Sequence, residues 1–302
     1  MARSKIEWLA RPGTIPETWN PIIGCSPVSE GCAQCYAARF AHRLAHNRRT
    51  AQKYEGLVRH IWNRSVWVNG QWVGPFEWTG TVRFLQEELP RPLRWRRPRT
   101  VFVCSMGDLF HQNVRERWID RILEVICTCK QHTFIALTKR AHLLERKLYE
   151  PSADALCREL GGGDYLPNLW IGVTAENQHR ANERIAKLLT IPAAVRFVSV
   201  EPMLGPIDLK PLMVRRWREI TERSGGMISV HRRWVTVSPL DWVICGGETG
   251  PGARFVGDPR WVRWARDLRD QCKAAGVPFF FKQMPGRRPI PHDLMVREWP
   301  EA

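Results

Sequence analysis

The chain has 302 residues, 44% of them hydrophobic, and its 46 Lys and Arg against 30 Asp and Glu give a formal charge of +16. That hydrophobic content excludes a disordered protein, and no apolar run is long enough for a membrane helix, so we expect a cytoplasmic protein with a large core. The positive charge indicates a polyanionic partner, nucleic acid above all, although a solvated Arg-rich surface would give the same charge without one.

The first predicted elements surround a short loop with three cysteines. Residues 19–24 are predicted to be an extended entry strand, because Pro21 and Gly24 bracket two β-branched residues. A helix is predicted from Tyr36 onward, with Phe40 and Leu44 at helical spacing. Cys25, Cys32 and Cys35 lie between the two elements, where the free N–H groups of a helix start favour an anionic ligand.

The cysteine spacing, Cys-x6-Cys-x2-Cys, leaves three interpretations open. Three thiolates can hold an iron–sulfur cluster with one iron free for a small molecule such as S-adenosylmethionine (SAM). A zinc site completed by His42 or His46 would use the same cysteines, and the thiols could also carry no metal. Disulfides are disfavoured, because the nine cysteines are an odd number and the other six are scattered along the chain.

Six short apolar runs alternate with helical stretches, which predicts a parallel sheet covered on both faces, either a partial or full barrel or an open doubly wound sheet. The predicted strands are Val101–Cys104, Thr133–Leu137, Leu169–Val173, Arg196–Val200, Asp241–Cys245 and Val277–Phe281. The predicted helices are Val114–Lys130, Ala141–Tyr149, Gln178–Leu189 and Pro259–Ala275.

Polar or small residues follow nearly every predicted strand, at the edge where parallel α/β folds bind ligands. We therefore expect one large polar site, even though Asp108, Thr174 or Glu201 taken singly could be a helix cap. The strand-end segments are Ser105–Asp108, Thr138–Arg140, Thr174–Asn177, Glu201–Pro202, Gly246–Gly250 and Lys282–Gln283.

Two segments interrupt this alternation, and we interpret residues 1–302 as one domain that contains them. Residues 55–99 form a Trp- and Arg-rich insertion with a predicted hairpin, Val66–Val73, around Asn69-Gly70. Residues 207–240 are predicted to contain a basic helix and a β-rich stretch, and to form a flap over the edge. Arg91–Arg99 and Arg215–Arg218 mix guanidinium groups with indole rings that could stack on bases.

Eight motifs in order resemble the phage-associated three-cysteine-motif family, which is similar to radical SAM enzymes. The resemblance implies an α/β fold, a partial (β/α) TIM-like barrel of the radical SAM type, with the cluster loop after the first strand. This chain has three more residues between its first two cysteines than the usual Cys-x3-Cys-x2-Cys spacing. The motifs are Thr18–Cys25, Gly31–Ala37, Ser105–His111, Leu137–Arg140, Gly172–Asn177, Phe197–Pro202, Gly246–Gly250 and Phe280–Gln283.

The resemblance also implies roles for particular residues. The metal ligands of a 4Fe-4S cluster would be Cys25, Cys32 and Cys35. Residues implied to bind SAM are Tyr36, Ser105, Gly107, Asp108, Lys139, Glu176, Asn177, Glu201, Gly246, Gly247 and Glu248. Residues implied to bind substrate are Trp19, Asn20, Arg140 and Lys282.

Alternatives to some of these roles come from the residue types. Lys139 and Lys282 could pair with a SAM carboxylate or a substrate phosphate, or form buried ion pairs with a neighbouring Glu. Gly246 and Gly247 would let the backbone approach a ligand closely. Cys104 and Cys245 could supply a hydrogen atom to a radical, or be small hydrophobic core residues.

The function expected from these observations is a radical SAM enzyme that generates a 5′-deoxyadenosyl radical and acts on nucleic acid, a nucleotide or a modified base. Its partners would be that substrate and a flavodoxin- or ferredoxin-type reductant. A base in a duplex would have to be flipped out, with the Trp-rich insertion as a candidate wedge. The alternatives are a zinc-stabilised nucleic-acid-binding protein without catalysis, and a radical SAM enzyme for a small metabolite or a protein.

Overall fold

The computed structural model describes residues 4–61, 66–68, 71–73, 75–149, 165–210, 216–224, 227–235 and 240–301. Its helices are α1 (Tyr36–Ala45), α2 (Ala51–Tyr54), α3 (Glu116–Thr128), α4 (Leu144–Tyr149), α5 (Gln178–Leu188) and α6 (Pro259–Ala275). Its strands are β1 (Ile15–Trp19), β2 (Ile22–Ile23), β3 (Val58–His60), β4 (Val66–Val68), β5 (Gln71–Val73), β6 (Phe76–Trp78), β7 (Arg83–Phe84), β8 (Arg99–Val103), β9 (Thr133–Thr138), β10 (Leu169–Thr174), β11 (Val195–Val200), β12 (Arg216–Ser224), β13 (Met227–Val235), β14 (Trp242–Gly246) and β15 (Phe279–Gln283).

Seven strands form one parallel sheet in the order β1-β8-β9-β10-β11-β14-β15. The six strands predicted from apolar runs are confirmed, with ends shifted by two residues at most. The helices between them are also confirmed, although the stretch predicted at 141–149 begins as a 3-10 turn before α4. The strand order never reverses, which is the winding of a barrel and not of a doubly wound sheet.

The inner face of this sheet encloses its own apolar core. Ten buried residues from β8, β9, β10, β11, β14, β15 and the 3-10 turn Glu7–Leu9 form this cluster. The Trp8 ring lies 5.1 Å from Phe102 and 6.2 Å from Trp242, on non-neighbouring strands. The turn also contacts β1 and β15, the two edge strands. The sheet is therefore curved like a half-barrel, and the described strands support a partial (β/α) barrel.

The outer face of the sheet packs against α3, α5 and α6. The residues adjacent in sequence to the inward-facing ones, such as Val101, Phe134 and Val243, point to the outer face. They pack with the helix residues Ile122, Ile185 and Leu268 in the main core. This alternation follows from the two-residue period of a strand, which sends successive side chains to opposite faces. Both faces are thus buried, as the continuous apolar runs predicted.

Gly172 on β10 leaves room for an aromatic ring inside the barrel. A Cβ at this position would lie 2.3 Å from Cζ of Phe197. We expect Gly172→Ala to lower the free energy of unfolding by about 1–3 kcal/mol, because neither the buried ring nor the strand can move away freely. Gly205→Ala is the matched control, since its nearest atom would be 3.7 Å away. Urea denaturation should show a loss for the first variant and little change for the second.

Two sequence predictions need correction. The main sheet begins with β1 at residues 15–19, whereas Ile22–Ile23 of the predicted entry strand pair with β7. Pro21 separates the two strands and has no N–H for a ladder. Residues 216–224 are not a basic helix; they form β12, which pairs antiparallel with β13 over nine residues. The pairing gives the backbone N–H and C=O groups of this segment hydrogen-bond partners on β13, whereas the helix predicted from its charge pattern would have paired them within the segment.

The remaining short strands lie between β1 and β8 and pair outside the main sheet. They are β2 with β7, β3 with β6, and β4 with β5. The antiparallel pairing of β4 with β5 is that of the predicted Val66–Val73 hairpin, whose turn residues Asn69 and Gly70 lie outside the described residues. None of the described helices is long and apolar enough to cross a bilayer. The insertion and flap assignments stay predictions.

Candidate functional site

The carboxyl edge of the sheet gathers the predicted strand-end residues. Because β8, β9, β10, β11, β14 and β15 are parallel neighbours, the segments that follow them lie side by side at this edge. The loop that carries the three cysteines runs along the same edge. Its contacts with successive strand ends show what most of the predicted residues do.

The start of the cysteine loop is fixed to the end of β8. The Gly24 N–H donates to the Met106 carbonyl at 3.0 Å, and Gly24 forms a parallel bridge with Gly107. The Asn20 Oδ1 accepts from the Met106 N–H at 2.9 Å and from the Ser105 hydroxyl at 3.2 Å. A Cβ at Gly107 would lie 2.9 Å from the Gly24 carbonyl oxygen. Asn20, Ser105 and Gly107 therefore position the loop itself.

Arg140, after β9, holds the next part of the loop. Its Nη2 donates to the Ser26 carbonyl and hydroxyl oxygens, both at 2.8 Å, and its Nη1 lies 3.5 Å from the Cys25 sulfur. Nη1 also donates to Asp108 Oδ2 at 2.9 Å, and Nε donates to Gln112 at 3.0 Å. Arg140 is 1% exposed and Asp108 is 5% exposed. This buried pair thus joins the first cysteine to two strand ends.

His111 completes the polar network around Ser26. Its Nε2 lies 2.8 Å from the Ser26 hydroxyl, and its Nδ1 accepts from the Asn113 N–H at 3.1 Å. The ring is fully buried. Burial and the nearby Arg140 guanidinium lower the pKa of His111 to about 4, so the ring is neutral at pH 7.

Glu176, after β10, anchors the middle of the loop. The Ser29 hydroxyl donates to its Oε1 at 2.5 Å, and a Cβ at Gly31 would lie 2.4 Å from that oxygen. Lys139 pairs with Glu176 Oε1 at 2.9 Å, and Arg184 pairs with Glu176 Oε2 at 3.0 Å. Burial opposes ionisation, but the two cations outweigh it, so the pKa of Glu176 lies below its usual range. The ion-pair alternative for Lys139 is confirmed.

Two more contacts fix the loop near Glu30. Asn177 is the N-cap of α5, accepting from the Arg180 N–H at 3.1 Å, and its amide donates to the Glu30 carboxylate. Glu248, after β14, pairs with Arg254 at 2.5 Å, and the Arg254 guanidinium also donates to the Glu30 carbonyl at 3.1 Å. These predicted ligand residues therefore serve the loop in this conformation.

Glu201 and Lys282 form the most accessible of the predicted pairs. Their side chains are 19% and 20% exposed, and Lys282 Nζ lies 2.5 Å from Glu201 Oε1. Lys282 thus pairs with a Glu, as its alternative named, but the pair is partly exposed and not buried. Gly246 and Gly247, at the end of β14, stay predicted ligand contacts. A Cβ at Gly246 would lie 3.2 Å from the Glu201 carboxyl carbon and one at Gly247 would lie 2.4 Å from the Pro285 nitrogen, so a side chain at Gly247 would not fit.

Three further predicted residues lie away from an open ligand surface. Trp19 is fully buried, packs 5.7 Å from Phe134 and donates from its ring nitrogen to the Glu88 carbonyl, so it is a core residue. Cys104 and Cys245 are also buried in the main core, and burial raises the pKa of Cys104 to about 12. Both cysteines are therefore placed as small hydrophobic core residues, which is the alternative that the sequence analysis named for them.

The three loop cysteines differ from the others in exposure. Cys25, Cys32 and Cys35 are partly exposed, whereas every other cysteine that the structure describes is buried; Cys157 lies outside the described residues. Burial of its sulfur and the Asp108 carboxylate raise the pKa of Cys25 to about 12, against the effect of Arg140. As whole residues the three loop cysteines are more exposed than the other described cysteines, although the Cys25 sulfur itself is buried.

The donor chemistry of the loop fits a thiolate-bound metal, but its sulfur atoms are not gathered. Among the described residues, no three His, Cys, Asp or Glu side chains are placed to hold one metal ion. His42 and His46 stack with each other at 4.4 Å, and His42 stacks on Phe76 at 4.1 Å, so a Cys₃His zinc site is not assembled either. Binding of one metal ion or cluster would require the three cysteine sulfur atoms to move closer together.

Several residues of this network escaped the sequence analysis. Ser26, Ser29 and Glu30 lie inside the cysteine loop, and Arg184 and Arg254 lie on distant segments. Each arginine follows its acidic partner closely in the chain, Arg184 eight residues after Glu176 and Arg254 six residues after Glu248, but neither interval is a spacing within one helix or strand. A sequence signal exists only for Ser26 and Ser29, which are polar residues beside candidate ligands.

Comparison with known proteins gives one family. Residues 3–293 match the family described as protein of unknown function, DUF5131. A search of curated proteins and a search of solved structures each returned no significant match. Because the match covers nearly all of the chain, with the barrel strands and the cysteine loop inside it, this protein belongs to the DUF5131 family.

Proposed function

We propose that this protein is an iron–sulfur enzyme of the radical SAM type that acts on nucleic acid, a nucleotide or a modified base. The observation that carries the proposal is the loop of three partly exposed cysteines at the carboxyl edge of a parallel, barrel-like sheet, in a chain whose other described cysteines are buried. The net charge of +16 supports a polyanionic substrate.

In this proposal, Cys25, Cys32 and Cys35 hold a 4Fe-4S cluster. When bound, such a cluster supplies an electron and an open iron for SAM. The buried carboxylates Asp108 and Glu176 act on the loop that carries the cysteines, because Arg140 and Ser29 connect them to it. Glu201 and Lys282 are the more exposed pair at this edge and the better candidates for contact with a ligand.

The first test is metal content. After anaerobic reconstitution with iron and sulfide, we expect the wild type to bind about four irons, and Cys25→Ser/Cys32→Ser/Cys35→Ser to bind almost none, because thiolates hold the cluster. Cys127→Ala/Cys129→Ala/Cys272→Ala is the matched control with three buried cysteines removed, and it should keep its iron. Equal iron in the wild type and the loop variant, or a colourless protein with one zinc per chain, would contradict the proposal.

The second test is chemistry. Reconstituted protein incubated with SAM and dithionite should release 5′-deoxyadenosine, measured by liquid chromatography and mass spectrometry, and the loop variant should not. A flavodoxin should replace dithionite if the reductant is of that type. Iron-loaded protein that never cleaves SAM would overturn the radical SAM assignment while leaving the metal site standing.

A further inference from the structure

Helix α1 directly follows Cys35 and distributes its side chains in an unusual way. Its buried residues are Ala37, Ala38 and Ala41, which pack on Ile23, Tyr54 and Trp78. Its large rings are on the other side: Tyr36 is 59% exposed and Phe40 is 42% exposed. Helices of soluble proteins normally turn their large apolar side chains toward the core, so two exposed rings beside a candidate site indicate a binding surface.

The two rings share one face of the helix with arginine. Tyr36, Phe40 and Arg43 are four and three residues apart, so they line one stripe. The Arg43 guanidinium lies 5.1 Å from the centre of the Phe40 ring. The Tyr36 hydroxyl donates to the Ser105 carbonyl at 3.1 Å, which places this stripe, the aromatic face of α1, against the carboxyl edge of the sheet.

The chain segment that contains the aromatic face carries positive charge only, although Lys53 pairs with Glu87 and Glu88 from elsewhere in the chain. Residues 31–54 contain Arg39, Arg43, Arg48, Arg49 and Lys53 and no Asp or Glu. Arg43, Arg48 and Arg49 are exposed, and none of the acidic side chains that the structure describes forms an ion pair with them. An acid-free cationic segment next to exposed rings is complementary to an anionic chain that carries flat rings of its own.

Of the two segments that the sequence singled out for base stacking, Arg91–Arg99 is arranged differently, and the side chains of Arg215–Arg218 lie outside what the structure describes. Trp95 is only 7% exposed and lies between Arg91 and Arg99, which both pair with Glu17. Trp78 of the insertion is 5% exposed. Among the described residues, the open aromatic surface next to the cysteine loop is thus on α1.

We propose that the aromatic face of α1 binds single-stranded nucleic acid, with unpaired bases stacking on Tyr36 and Phe40 and phosphates bound by Arg43, Arg48 and Arg49. This inference rests on the nucleic-acid branch of the proposed function and names the form of the substrate. Stacking needs unpaired bases, since the faces of paired bases are covered by their neighbours in a duplex. A strand held here has its bases next to the loop that carries the cysteines.

Binding of a fluorescein-labelled 15-nucleotide single strand, followed by fluorescence anisotropy, tests the inference on purified full-length protein. We expect Tyr36→Ala/Phe40→Ala to weaken binding at least tenfold, because each stacked base contributes about 1–3 kcal/mol. Tyr36→Phe keeps the ring and should bind like the wild type. Tyr165→Ala is the matched aromatic control, since Tyr165 is 43% exposed and precedes β10 at the opposite edge.

The charge is tested by salt dependence. Arg43→Gln/Arg48→Gln/Arg49→Gln should make the slope of log affinity against log salt less steep by about 2, at about 0.7 per phosphate. Arg263→Gln/Arg266→Gln/Lys273→Gln removes three charges from exposed positions of α6 and should leave the slope unchanged. Circular dichroism melting curves identify variants that fail to fold.

Unchanged affinity in the folded Tyr36→Ala/Phe40→Ala variant would overturn the inference, and so would a labelled 15-base-pair duplex that binds more tightly than the single strand. No binding at low salt would do the same. These results are independent of the release of 5′-deoxyadenosine, because binding is measured without SAM or reductant. A failed binding test therefore removes the single-strand assignment alone, whereas failed SAM cleavage removes the enzymatic proposal alone.

Discussion

Replacing Arg140 with methionine is expected to lower the free energy of unfolding by about 3–5 kcal/mol, the cost of leaving one partner of a buried ion pair without its countercharge. Arg140 and Asp108 are almost fully buried and 2.9 Å apart. The Asp108 carboxylate would keep only the Thr138 hydroxyl and the Phe110 N–H as hydrogen-bond donors among the described residues. Urea denaturation measures the loss directly.

Two comparison variants separate the buried charge from the lost side chain. Arg140→Met/Asp108→Asn should recover part of the stability, because no unpaired charge is left in the interior. Arg266→Met, which breaks an exposed pair with Asp293, should have little effect. If Arg140→Met costs no more than Arg266→Met, the pair does not organise this edge.

The same variant should free the cysteine loop. Arg140 joins Ser26 and Cys25 to the end of β9, so its removal takes away the contacts that hold the first cysteine. We expect the backbone amides of residues 25–29 to exchange hydrogen for deuterium faster in Arg140→Met than in the wild type, monitored by peptide mass spectrometry. The amide of Cys272, a buried residue of α6, should exchange equally slowly in both proteins at short exchange times.

The second large expected effect is a loss of stability below neutral pH through His111. Its pKa is lowered to about 4 in the folded protein, from 6.5 in a free chain. The unfolded chain therefore binds a proton that the folded one does not, and stability that is complete above pH 6.5 falls as the pH drops toward 4. A shift of this size amounts to about 3 kcal/mol at pH 4.

Comparison of His111→Asn with the wild type separates the contribution of His111 to the pH dependence of stability from that of the other histidines. An asparagine can still accept the N–H bond of Asn113, but it does not titrate. The variant should be less stable at pH 7 and lose less stability between pH 6.5 and 4.5, with a mean slope about 1 kcal/mol per pH unit smaller than that of the wild type. Parallel pH profiles for the two proteins would contradict the assignment of a neutral, buried ring.

Local patterns were sufficient for the barrel strands. The strands of the sheet have apolar residues on both faces, because both faces are buried, and such a continuous apolar run can be recognised in the sequence alone. Examples are Val101–Val103, Ile135–Leu137 and Trp170–Val173. Local patterns failed for residues 216–224, where the charge distribution suited a helix and the partner strand β13 decided otherwise. Strand pairing is a contact between segments, so no local window contains it.

The sequence by itself determined that polar residues follow parallel strands and that three cysteines share one loop, because both facts are written in order along the chain. Only the tertiary structure decided what these residues touch. Asp108 pairs with Arg140, which lies 32 residues further along the chain, and Glu176 and Glu248 pair with nearer arginines. Tyr36 and Phe40 are exposed, whereas Ala37, Ala38 and Ala41 on the opposite side of the helix pack on Ile23, Tyr54 and Trp78. Which charges pair and which face of a helix is buried depend on neighbours that the fold brings together, so the order of residues along the chain did not specify them.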